Sequence, residues 1–201
     1  LRGWTELSWF LDEAMMQDAE SSPSGGKLLP RSWRLGSRPN LKQMHSEACT
    51  RVSPEVIEDK LSKAIENCKS LTEGASAAGA IPHRLPTHPS DIKDDGEFHY
   101  AVLGPKAASR PGRPSDEARR FLNENNGPNN PRTYRNAVVL AVPWTEGIDA
   151  VRRAICDHQG WLEVESQLKG QEVDHNRKQL LEAEKKKAEK LITELVKQAY
   201  C

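Results

Sequence analysis

Seven side chains able to bind metal or move protons, His83, His88, Asp91, Asp94, Asp95, Glu97 and His99, crowd one short stretch of the sequence. Imidazoles and carboxylates are zinc ligands, but zinc sites pair histidines or cysteines at tighter spacing and take their geometry from ordered elements. Most of these residues sit in a stretch containing Pro82, Pro86 and Pro89 that reads as linker. No metal site is therefore assigned. Nucleophilic catalysis has no more support: a triad is defined by spatial geometry that separation along a chain cannot supply. No catalytic residue is assigned.

Nucleotide chemistry has two partial signatures. Gly25-Gly26-Lys27-Leu28 looks like the end of a phosphate loop, but Ser21 and Leu28 stand where that motif needs Gly and Ser or Thr. The stretch reads as a hairpin loop. Trp9-Phe10-Leu11-Asp12-Glu13 has the form of an apolar strand ending in an acidic pair, the arrangement that holds magnesium in P-loop enzymes. Without a phosphate loop upstream in this sequence the pair has no nucleotide to serve, and it reads as a strand end.

Basic residues form two local groups. Lys27, Arg31, Arg34, Arg38 and Lys42 surround the first turn-rich stretch, and Lys106, Arg110, Arg113, Arg119 and Arg120 form the second. Arg31, Arg34, Arg38 and Lys42, with Trp33 among them, are the candidates for tracking a nucleic-acid backbone. Arg132 and Arg135 precede an apolar run, where a guanidinium could reach a phosphate or a partner's carboxylate through two parallel hydrogen bonds; pairing with a nearby acid is the structural alternative.

The averages limit the field. Lysine plus arginine and aspartate plus glutamate are both 29, so no net field draws the whole molecule to DNA or to an anionic membrane. An apolar share of 36% implies exposed helices around modest cores. No apolar run approaches the roughly 20 residues that span a bilayer. With no signal-peptide pattern and four scattered cysteines, Cys49, Cys68, Cys156 and Cys201, a cytoplasmic location with free thiols is expected. The sequence opens at Leu1 without methionine and stops at Cys201 directly after a helical pattern, so a section of something longer is expected.

The elements that must position these residues follow from periodicity. Two aromatic-rich runs, at Leu7–Leu11 and Ser32–Leu35, predict antiparallel strands, and Asn40 is placed to cap a helix bearing Leu41, Met44 and Ala48. Ser53-Pro54 starts a second helix, with Ile57, Leu61, Ala64, Ile65, Cys68 and Leu71 on one side and Gly74 at its end. Alternation over Glu97–Leu103 predicts a strand. Ser115 caps a helix bearing Ala118, Phe121 and Leu122, and the almost wholly apolar Ala137–Val142 predicts a strand covered on both faces, completing a β-α-β unit. Thr145 is expected to cap an amphipathic helix through Leu162, and a last helix from about Asp174 carries Leu181, Ala188 and Leu195 at heptad steps. The fold class is mixed α/β. Its expected division is a hairpin with helices over 1–74, a linker over 75–96, and a small α/β domain with a C-terminal helix over 97–201.

Three phrases can now be read together: Leu29-Pro30-Arg31-Ser32-Trp33-Arg34-Leu35-Gly36-Ser37-Arg38-Pro39-Asn40-Leu41, Asp94-Asp95-Gly96-Glu97-Phe98-His99-Tyr100-Ala101-Val102-Leu103-Gly104-Pro105, and Tyr134-Arg135-Asn136-Ala137-Val138-Val139-Leu140. In this order they resemble the C-terminal part of the large prokaryotic P-loop, AAA-type ATPases of domain-of-unknown-function family 499. The resemblance covers nearly the whole chain and is weaker over the two Pro-containing connections and the opening residues. It implies that the hairpin and its helix form a winged-helix-like module. It also implies a nucleotide-binding half upstream, using ATP and magnesium that this chain does not itself hold, in a protein encoded beside methyltransferases and helicases in anti-phage gene clusters.

The resulting expectation is a C-terminal accessory region of a defence-associated ATPase, coupling the upstream ATPase domain to DNA or to methyltransferase or helicase subunits. A nucleic-acid-binding winged-helix-like module and a pure assembly element are the alternatives. No membrane contact is expected.

Overall fold

A computed structural model describes residues 11–13, 33–35, 40–171 and 173–200. The fold is mixed α/β, with helices predominating, one three-stranded parallel sheet and a long C-terminal helix. Two compact units divide the chain, one built from Leu1–Arg51 and Gln159–Glu184, the other from Val52–His158 and Lys185–Cys201.

In the first unit, β1 (Leu11–Glu13) pairs antiparallel with β2 (Trp33–Leu35), placing Asp12 opposite Arg34. The acidic pair Asp12-Glu13 thus belongs to a strand of the expected hairpin. Helix α1 (Leu41–Arg51) starts as the sequence implies: the side-chain oxygen of Asn40 accepts the Lys42 backbone N–H at 2.9 Å, satisfying one of the orphan donors of the first turn. Leu41, Ala48, Trp161, Val164 and Leu181 are the unit's buried apolar residues among those described.

The second unit begins with α2 (Pro54–Asn67), capped by the Ser53 hydroxyl, which accepts the Val56 N–H. The expected single helix to Gly74 is broken in two. Cys68, at φ −78° and ψ 82°, leaves the helical region, and α3 (Ser70–Ala77) follows with Gly74 inside it. Gly79, at φ +82°, makes the actual stop. Its left-handed backbone brings its own N–H to the Ser76 carbonyl and that of Ala80 to the Ala75 carbonyl.

The parallel sheet has the order β3 (Ile81–Arg84), β4 (His99–Val102), β5 (Val138–Ala141). Residues 75–96, expected as linker, therefore hold the end of α3, all of β3 and a 3-10 turn at Pro89–Asp91. The β4-to-β5 crossover contains α4 (Asp116–Asn123), whose Ser115 hydroxyl accepts the Ala118 N–H, so this β-α-β unit forms as the periodicity predicts. On β3 the N–H groups of Ile81 and, just past the strand, Leu85 point to β4, so Pro82 takes an outward position where no donor is needed.

Elements pack on both faces of the sheet, but β5 is an edge strand and is not covered on both faces as its apolar run predicts, for Val139 is 55% exposed. On one side Val102 packs with Leu61 and Ile65 of α2, with Ile148, Val151 and Ile155 of α5 (Thr145–Leu168), and with Val196 and Ala199 of α6 (His175–Ala199). On the other, Ala101, Leu103 and Val138 pack with Ile92, Ala107 and the α4 residues Ala118 and Phe121. Thr145 is the first residue of α5 rather than its cap. Both its N–H and its hydroxyl are given to the Ser109 carbonyl.

Candidate functional site

The strand alternation that buries Ala101 puts His99 and His83 on the same face of the sheet, the face covered by α4. His99 is buried at the start of β4, and His83 is half-buried on β3. Their rings meet edge to edge, with His83 Nε2 3.0 Å from His99 Nδ1. The second nitrogen of His99, Nε2, lies 2.9 Å from Asp95 Oδ1, which also accepts the Glu97 N–H at 3.1 Å.

The chain of bonds has a direction. The hydrogen bond from His99 holds the Asp95 carboxyl below its ordinary range, so it is an acceptor only at neutral pH. His99 Nε2 must then carry a proton, and in neutral His99 Nδ1 is left with its lone pair. His83 Nε2 is the donor to it, and His83 Nδ1 becomes the basic end of the array. Burial lowers the pKa of His83, and the nearby charges of His99 and Arg132 lower it further. The lowered pKa favours the neutral imidazole at His83, the form in which a ring nitrogen can accept a proton.

Two staples fix the loop that carries Asp95. Arg132 is only 2% exposed, and its guanidinium donates to the carbonyls of Ile92 at 3.0 Å, Lys93 at 3.2 Å and Pro89 at 3.0 Å. Its Nε–H finds no acceptor among the described residues. In the opposite sense, Asp94 accepts the backbone N–H groups of Thr133 at 2.7 Å and Tyr134 at 2.8 Å, which holds its carboxyl below the usual range. Asp91 accepts from the N–H groups of Thr87 and His88 and from the Thr87 hydroxyl, closing the turn into Pro89–Asp91. Leu85, at φ +49°, opens this loop in the left-handed region, a strained conformation for a branched side chain.

Beside the site, α3 and the opposite sheet face leave an open apolar groove of about 490 Å³ lined by Leu71, Gly74, Ala78, Phe98, Tyr100 and Val139. Phe98 is 66% and Val139 55% exposed there.

Of the seven residues crowded in the sequence, His83, Asp95 and His99 are brought into one bonded array, while Asp91 and Asp94 are used on backbone N–H groups. Arg132, expected to reach a phosphate or a partner, is spent on carbonyls of its own chain, and Arg135 is exposed with its Nε–H on the Arg132 carbonyl at 3.3 Å. Lys42 is exposed on α1, and Arg34 lies on β2. Arg31 and Arg38 lie outside the described residues, as does the Gly25–Leu28 stretch. The histidine pair was hidden because its members come from two strands in register, and β3 carries no apolar alternation that would reveal it as a strand.

Comparison with known proteins adds no relative: no family model, no curated protein and no solved structure matches the chain significantly.

Proposed function

We propose that this chain is the C-terminal accessory region of a large defence-associated P-loop ATPase, acting by contact and coupling the ATPase domain upstream to a partner protein or to DNA. The observation that carries the reading is the groove between α3 and the sheet. Phe98 and Val139 offer it two large apolar side chains in the open, on which a partner's apolar side chains can be buried. Two of the three phrases that resemble the ATPase family support it. Asp94–Pro105 and Tyr134–Leu140 contain Phe98 and Val139, and they also contain the bonds of Asp94 to Tyr134 and Asp95 to His99 that hold β4 and β5 in place.

The test is to express the reading frame upstream of Leu1 and titrate it with this chain. Tight association that is lost in the Phe98→Asp, Val139→Asp double variant is the expected result. The two substituted side chains are already exposed, so folding of the variant, checked by circular dichroism, should be unchanged. Robust ATP turnover by this chain alone, or association indifferent to the double substitution, would reject the proposal.

A further inference from the structure

The segments that leave the carboxyl ends of β4 and β5 meet and expose a second surface. Ser109 forms a parallel bridge with Trp144; its N–H goes to the Pro143 carbonyl at 2.9 Å, and its carbonyl receives the Thr145 N–H at 2.9 Å. Its hydroxyl donates to the Ala107 carbonyl and accepts the Ser115 N–H, both at 2.9 Å. From this cross-linked base projects the turn Arg110-Pro111-Gly112-Arg113, closed by Arg113 N–H to the Arg110 carbonyl at 2.9 Å. Proline in the second position and Gly112 at φ +70° in the third suit a type II turn, so the two arginines are presented by a rigid tip.

The chemistry of that tip is cationic and aromatic. Lys106, Arg110 and Arg113 are exposed, and no ion pair among the described residues takes them up, whereas Arg119 and Arg120 behind them are engaged by Asp116 and Glu117. Trp144, bonded to the base of the same turn through Ser109, is 41% exposed. Its indole N–H is fixed on the Gln198 carbonyl at 3.2 Å and its backbone N–H on the Ala199 carbonyl at 3.0 Å, so the ring is held still. The turn also stands at the N-terminus of α5, a helix long enough to add favourable potential for anions.

We infer that the Lys106, Arg110, Arg113 and Trp144 surface binds single-stranded nucleic acid, the cations following its phosphates while a base stacks on the indole. Free cations beside an immobilised, partly exposed ring are the combination that unpaired strands require, since bases within a duplex are already stacked on one another. The surface lies just beyond the carboxyl ends of β4 and β5. The inference does not depend on the groove at Phe98 or on an upstream ATPase.

The experiment is fluorescence anisotropy of the full chain with a labelled oligo-dT strand, an oligo-rU strand, an abasic strand of the same length and a duplex, each titrated over a range of salt. Expected are tighter binding of dT and rU than of the duplex or the abasic strand, and affinity falling with salt. The Lys106→Glu, Arg110→Glu, Arg113→Glu variant should lose at least about tenfold in affinity, with a log–log salt slope reduced by about 2, since each phosphate contact on a single strand contributes about 0.7. These substitutions are at exposed positions, and an unchanged melting curve confirms that the variant is folded. A Trp144→Phe variant, which keeps a smaller ring, should bind the strands with intermediate affinity. Equal affinity for abasic and dT strands, a preference for duplex, or undiminished binding by the charge-reversed variant would overturn the assignment. So would binding abolished instead by Arg31→Ala, Arg34→Ala and Arg38→Ala.

Discussion

Arg132 shows how far a side chain's type leaves its role open. A guanidinium buried to 2% exposure needs acceptors, and here Nη1 and Nη2 find them in the carbonyls of Pro89, Ile92 and Lys93, some forty positions earlier in the chain. Replacing it with methionine keeps the volume roughly and strands those carbonyls, so a loss of about 3 kcal/mol of stability is expected in urea unfolding. Its acceptors are backbone atoms, identical in every residue, which is why the sequence suggested a phosphate or a partner instead. His83 gives a different kind of prediction. Its pKa is lowered on folding from 6.5, so the unfolded chain binds the proton more readily. The stability it contributes is fully present above about pH 6.5 and is lost as pH falls toward its folded value. Melting temperature followed from pH 7.5 to 5 should decline, and His83→Asn should flatten that decline. Below about pH 4 a second loss is expected, as Asp91, Asp94 and Asp95, all held below 3.8 by their hydrogen bonds, become protonated.

At the scale of elements, the strongly periodic segments were legible and the short ones were not. The apolar run at β5, the stripe Ile148, Val151 and Ile155 on α5, and the caps at Asn40, Ser53 and Ser115 all lie where spacing and side-chain chemistry place them. β3 escaped notice because Ile81-Pro82-His83-Arg84 has neither alternation nor apolar content, and only its partner strand makes it a strand. The break between α2 and α3 was equally silent, for the apolar stripe runs on across it through Leu61, Ile65 and Cys68 to Leu71. Packing at the start of α5 depends on a missing side chain. A Cβ at Gly147 would collide with the Trp144 indole and come to 2.9 Å from the Ala199 Cα. Gly147→Ala, which would favour an isolated helix, should therefore destabilise the protein by about 1–3 kcal/mol in thermal or chemical unfolding.

Across the whole molecule the balanced charge concealed local asymmetry, with anchored aspartates on the β3-to-β4 loop and free cations on the turn at Arg110–Arg113. No helix among the described residues is long and apolar enough to cross a membrane. The last helix, expected to dock on the domain, supplies Val196 and Ala199 to the core of the second unit, and beyond it the Tyr200 hydroxyl donates to the Leu103 carbonyl at 2.6 Å. Deleting Lys185–Cys201 should abolish the cooperative melting of that unit, whereas Tyr200→Phe should cost only about 1 kcal/mol. The position of Pro82 has a consequence for assembly. An imino acid on the outward side of β3 deprives an incoming chain of a partner for its carbonyl, so that border of the sheet is poorly suited to lengthening by annealing of a further strand, in a complex or in an aggregate. A companion that reaches this border must then meet it through side chains and leave its backbone bare.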